Sequence, residues 1–93
     1  VRRLGAGGRA PEAGTDPGAI RHVAVVRYDA FGDMGGRLSF SAALLDDSGD
    51  GLVISSINGR SETRTYAKSL VGLQSDHTLS PEEKEAIEMA RGR

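Results

Sequence analysis

Residues 37–46 read Arg37-Leu38-Ser39-Phe40-Ser41-Ala42-Ala43-Leu44-Leu45-Asp46. Leu38, Phe40, Ala42 and Leu44 alternate with Arg37, Ser39 and Ser41. Successive side chains of a strand point to opposite faces, so this period of two predicts a half-buried strand with one wet face. Asp46-Asp47-Ser48-Gly49-Asp50-Gly51 closes it with a turn, since short polar residues and glycine bond locally and tolerate tight backbone. Residues 52–57, LVISSI, make the next strand. Asn58-Gly59 follows, and an Asn-Gly pair between strands predicts a type I′ hairpin because both residues tolerate positive φ. The strand after it places Glu62, Arg64, Tyr66 and Lys68 on one face and Thr63, Thr65 and Ala67 on the other.

Upstream, residues 20–28, IRHVAVVRY, are dense in β-branched side chains. They predict a first strand that completes the sheet, buried on one face and partly on the other. Residues 29–36, DAFGDMGG, break the pattern, and three glycines there imply a loop with a left-handed backbone position. Downstream, Ser80-Pro81-Glu82-Glu83 predicts a helix start. Ser80 caps an orphan N–H, Pro81 fits the first helical position, and Glu83 returns the bond. Ala86, Ile87 and Ala90 form a narrow apolar stripe for docking on the sheet, and Gly92 is a stop. The fold class is therefore α+β: a small antiparallel β-meander of about four strands with a C-terminal helix. Residues 1–19 read as a flexible head rich in Gly, Ala and Pro, and residues 20–91 as the single domain.

At 93 residues, with 38% hydrophobic and 27% charged residues, the chain can bury one thin core. A net charge of −1 excludes the basic signature of a nucleic-acid binder. No cysteine is present, which removes disulfides, thiolate chemistry and the commonest structural zinc sites. No stretch is apolar for long enough to span a bilayer. Beginning with Val, the chain reads as an excerpt, a processed product or an alternative start. Arg predominates over Lys, a composition of GC-rich bacterial coding.

Catalytic motifs are not evident. Asp46, Ser48, Asp50 and Gly51 match the opening of a calcium loop, but Ile57 stands where a bidentate Glu is required. A hairpin turn is the expected reading. Gly5-Ala6-Gly7-Gly8-Arg9-Ala10 lacks the preceding strand and following helix of a dinucleotide fingerprint. His22 and His77 sit at no metal spacing. No metal and no cofactor are expected. Residues 27–37 concentrate chemistry most densely: Arg27, Tyr28, Asp29, Phe31, Asp33 and Arg37 are the candidate binding residues. The competing reading is architectural, with Phe31 and Met34 plugging one end of the core and Asp29 holding the turn.

The run from Arg27 to Leu45, with Asp50-Gly51, Tyr66-Ala67-Lys68 and Leu79-Ser80-Pro81-Glu82-Glu83 in order after it, resembles the bacterial family known as domain of unknown function 4446. The resemblance covers Ile20 to about Ala90. Gly32, Ser69 and His77 depart from the residues commoner there. Many members carry an N-terminal membrane helix and a helical spacer. The resemblance thus implies a parent protein anchored in the membrane with this domain in the cytoplasm, and it brings no catalytic residues.

Three functions follow as expectations. The first is a non-catalytic binding or scaffold domain with a protein partner. The second is a small-molecule or metal-dependent activity at the loop 27–37. The third is self-association, as a homo-oligomer, through an exposed sheet edge.

Overall fold

The computed structural model describes residues 16–31 and 36–92. Strands β1 (His22–Tyr28), β2 (Ser39–Leu45), β3 (Gly51–Asn58) and β4 (Thr63–Leu70) are followed by helix α1 (Pro81–Arg91). The strands form one antiparallel sheet in the order β1-β2-β3-β4. The meander and terminal helix are those predicted from the alternation and the cap.

The helix lies over β1 and β2 and touches β3 only at its margin. The core is small: Ala24, Ala43, Leu45, Val53 and Leu70 from the sheet, with Ala86, Ile87 and Ala90 from the helix. Alanines on both sides of the contact let the helix backbone come close to the strands.

This contact inverts the predicted face of β2. Ser39, Ser41, Ala43 and Leu45 are buried beneath the helix, while Phe40, Ala42 and Leu44 are half-buried on the opposite face. Leu38 is 56% exposed. Close packing selects small residues on the covered face, and the two serines are tolerated because their hydroxyls are bonded. Ser39 Oγ accepts from the Asn58 N–H at 2.9 Å, and Ser41 Oγ lies 2.6 Å from Ser55 Oγ.

The β3–β4 connection also differs from the prediction. Asn58 pairs with Thr63, so four residues form the loop. Neither Asn58 nor Gly59 has positive φ, and Gly59 N–H donates to Glu62 O at 2.9 Å. Asn58 stays in the sheet because its side chain accepts from Thr63 Oγ1 at 2.9 Å. The tight turn with two left-handed residues instead falls at Gly72 (φ 56°) and Leu73 (φ 71°), where Val71 pairs with Gln74.

Residues 16–19 are drawn into the fold. Ala19 N–H closes a turn on Asp16 O, and Asp47 N–H donates to Pro17 O. Asp47 then clasps the start of β1, accepting from Arg21 Nε at 2.7 Å and Nη2 at 2.8 Å, with His22 Nε2 at 2.7 Å. The Arg21 and His22 bonds hold the Asp47 carboxyl down to about 2. The remaining head residues and the tract 5–10 lie outside the described residues.

The helix starts as the sequence predicts. Glu83 N–H donates to Ser80 Oγ at 3.1 Å, and Ser80 N–H donates to Glu83 Oε1 at 2.8 Å.

Candidate functional site

Because α1 covers β1 and β2, the same face of β4 stays open. Arg64, Tyr66 and Lys68 project along it, two residues apart, and two adjoining hollows lie beside them. One, of about 490 Å³, is lined by Tyr28, Asp29, Tyr66, Lys68, His77 and Glu83 among others. The second, of about 710 Å³, is lined by Phe31, Gly59, Arg60, Glu62 and Arg64, and shares Ile57 and Tyr66 with the first. Together they form one cleft from the helix N-terminus to the β3–β4 loop.

A polar chain runs beneath the cleft. Ser55 Oγ donates to Glu83 Oε2 at 2.6 Å. That spends the only Ser55 proton, so Ser41 must donate to Ser55. Tyr28 OH, 3.2 Å from Ser41 Oγ, must in turn donate to Ser41. Every hydroxyl thus points toward Glu83. The other carboxylate oxygen accepts from Lys68 Nζ at 2.8 Å as well as from Ser80 N–H. Lys68 Nζ also donates to Thr78 O at 2.8 Å, which pins the connector above the sheet.

Glu83 is 2% exposed. Burial works to raise its pKa, but the bonds from Lys68, Ser55 and Ser80 outweigh burial and hold it below its ordinary 4.5. A carboxyl whose folded pKa is depressed stabilises the fold fully above its unfolded pKa and loses that contribution as pH falls through the folded value. Asp47 acts in the same sense between 3.8 and about 2. The melting temperature is therefore expected to fall below about pH 4.5, and removal of Glu83 to flatten the upper part of that decline. Thermal denaturation followed by circular dichroism across pH 2 to 7 checks this.

The residues predicted from the loop 27–37 divide. Tyr28, Asp29 and Phe31 line the cleft. Asp29 Oδ1 also accepts from Arg37 N–H at 2.6 Å, so it ties the loop end to β1. Arg27 pairs with Phe40 and alternates with Tyr28, which puts it on the other face of the sheet. Arg37 takes a left-handed φ of 48° and lines neither hollow. Asp33 and Met34 lie outside the described residues. Phe31 is 49% exposed and stands against Gly59, so it is not a core plug.

Ser41, Ser55, His77 and Glu83 were not predicted as site residues. The word Ser80-Pro81-Glu82-Glu83 signals the cap, and nothing local in it signals that Glu83 also reaches β3 and β4. The aspartate turn binds its own backbone: Asp46 Oδ1 accepts from Ser48 N–H at 2.8 Å and Asp50 N–H at 3.0 Å. Among the described residues, no group of three or more His, Asp or Glu side chains is placed to hold a metal ion. No helix among them is long and apolar enough to cross a membrane.

No curated protein and no solved structure matches the chain. A family does, over residues 15–91, which takes in the sheet, the cleft and the whole helix. The chain belongs to that family, described as protein of unknown function (DUF4446).

Proposed function

We propose that this chain is a non-catalytic binding domain whose cleft takes an extended protein segment. The carrying observation is the commitment of the cleft's polar groups. Lys68, Glu83, Ser55, Ser41 and Tyr28 are joined in one bonded chain that fastens helix to sheet. Groups locked in this way serve poorly as nucleophile or base, which must be able to exchange protons with substrate. What the cleft offers outward is a rim of half-exposed rings, Phe31 at 49% and Tyr66 at 44%. Aromatic side chains give large contact area at low entropic cost.

A protein segment fits this lining for two further reasons. Tyr28 donates inward, so its oxygen retains lone pairs for an incoming N–H. Lys68 uses two of its three protons on Thr78 and Glu83, which leaves one donor for a carbonyl. Lys68 itself stands on β4, an outer strand whose far backbone edge pairs with no other strand among the described residues and suits strand addition, while Tyr28 reaches the cleft from β1. The family resemblance supports a place for the domain in a membrane-anchored parent, on the cytoplasmic side.

Selection of displayed random decapeptides on the purified domain tests the reading. The expected result is a consensus with an aromatic or aliphatic anchor, whose affinity falls at least about tenfold in Tyr66→Ala and Phe31→Ala. No consensus, or one indifferent to both substitutions, overturns it.

A further inference from the structure

The sheet has a second face, and it is apolar. The strand register sets its rows. The first row is Val23, Leu44, Leu52, Ser69, the second Val25, Ala42, Ile54, Ala67, and the third Arg27, Phe40, Ser56, Thr65. Helix α1 packs on the opposite side, against Ala24, Ala43 and Leu45. Val23 is 43% exposed, Val25 48% and Leu52 36%. An antiparallel sheet with one covered face ordinarily turns polar side chains outward on the other. Here the two central strands present no charge at all, and the flanking Arg27 sits at a corner. A contiguous apolar patch of this kind marks an interaction site.

We propose that this face binds a second copy of the chain, sheet against sheet, about a twofold axis parallel to the strands. That axis reverses each row, so β1 lies over the partner's β4 and β2 over its β3. Ile54 of one copy then meets the small Ala42 of the other, Val25 meets Ala67, and Phe40 meets Ser56. Large side chains fall on small ones along the second and third rows, the interdigitation that packed sheets need, while in the first row Val23 meets Ser69 and Leu44 meets Leu52 as an apolar pair. The same reversal sets Arg27 over Thr65, so no two arginines face each other. A face whose centre carries no charge, with Arg27 only at a corner, is compatible with its own copy, and a twofold interface requires that self-complementarity.

The area is sufficient. Four strands about 4.8 Å apart and six residues long at about 3.3 Å per residue cover roughly 400 Å² in plane. Two such faces with side-chain relief bury on the order of 1,000 Å², the lower limit for a specific interface. Residues 1–15 contain only Val1 and Leu4 as large apolar side chains, too few to cover the same rows. This surface is distinct from both sheet edges and from the cleft.

Sedimentation equilibrium of the 93-residue chain from about 10 µM to about 1 mM tests the proposal, since a minimal interface dissociates within that range. The expected mass at the upper end is twice 9.8 kDa. Val25→Lys, at an exposed position, is expected to weaken the dimer at least about tenfold with unchanged circular dichroism. Ala42→Glu and Ile54→Lys are each expected to be monomeric and, mixed together, to recover a heterodimer, because the axis sets position 42 over position 54. If these two variants fold poorly, Val25→Lys alone decides. A monomer throughout the range assigns the face to another partner and overturns the proposal. A dimer indifferent to Val25→Lys, as edge pairing would give, overturns it too.

Discussion

Glu83→Ala is expected to destabilise the domain by about 3 to 5 kcal/mol, the usual effect of breaking a buried ion pair by removing one partner. Three groups would lose their bond together. Lys68 Nζ, on a side chain only 20% exposed, would keep Thr78 O alone. The buried Ser55 hydroxyl would lose its acceptor, and Ser80 N–H would lose the return half of the capping box. A domain of this size holds only about 5 to 10 kcal/mol in total, so the variant should be largely unfolded in mild denaturant. Glu82→Ala removes a neighbouring first-turn acid with no such partners and should change stability by about 0.5 kcal/mol. Glu83→Gln should fall between, because its amide offers one acceptor where two oxygens now accept three bonds. Urea titrations of the three variants check the order. In the double variant with Lys68→Met, the two losses should sum to more than the combined effect, since both remove one interaction.

The cap was legible and the role of Glu83 was not, for one physical reason. A capping box is closed by residues three apart, so its chemistry is written in adjacent letters. The bonds from Glu83 to Ser55 and Lys68 span 28 and 15 residues and exist only once the helix has docked. The sheet shows the same division. Alternation in residues 37–46 fixes the existence of β2, because period two depends on local geometry. It does not determine which face meets the helix. Hydrophobicity pointed to Phe40 and Leu44, whereas close packing against Ala86 and Ala90 selected Ser39, Ser41 and Ala43. In β2, Phe40 and Leu44 on one face and Ser39, Ser41 and Ala43, with Leu45 at the strand end, on the other fit a sheet covered twice, by helix on one side and, in our proposal, by a second sheet. Asn58-Gly59 misled for a related reason: the pair permits a tight turn, but pairing of Asn58 with Thr63 places Asn58 inside the sheet.

Gly51→Ala is expected to cost about 3 kcal/mol or more, although it adds a single methyl group. A Cβ at residue 51 would lie 1.9 Å from Leu44 O, 3.0 Å from Leu44 C and 3.1 Å from Leu45 Cα. All three are backbone atoms, so no rotamer change relieves the contact. Relief requires the first β2–β3 pairs to separate, which pulls on the bond from Asp46 N–H to Asp50 O at 2.8 Å. Asp46, 3% exposed, would then lose the geometry in which its carboxylate holds Ser48 and Asp50. Gly72→Ala is the matched comparison. Its added Cβ meets nothing within 4 Å, so only the left-handed φ of 56° opposes it, at about 1 to 2 kcal/mol. Thermal melts of the two variants should therefore separate clearly, with Gly51→Ala much the lower. Gly51 pairs with Leu45 and Leu70 at the end of the sheet away from Tyr28 and Asn58. Peptide binding by the fraction of Gly51→Ala that remains folded should therefore match the parent chain, whereas Glu83→Ala, which loosens the floor of the cleft, should lose affinity and stability together.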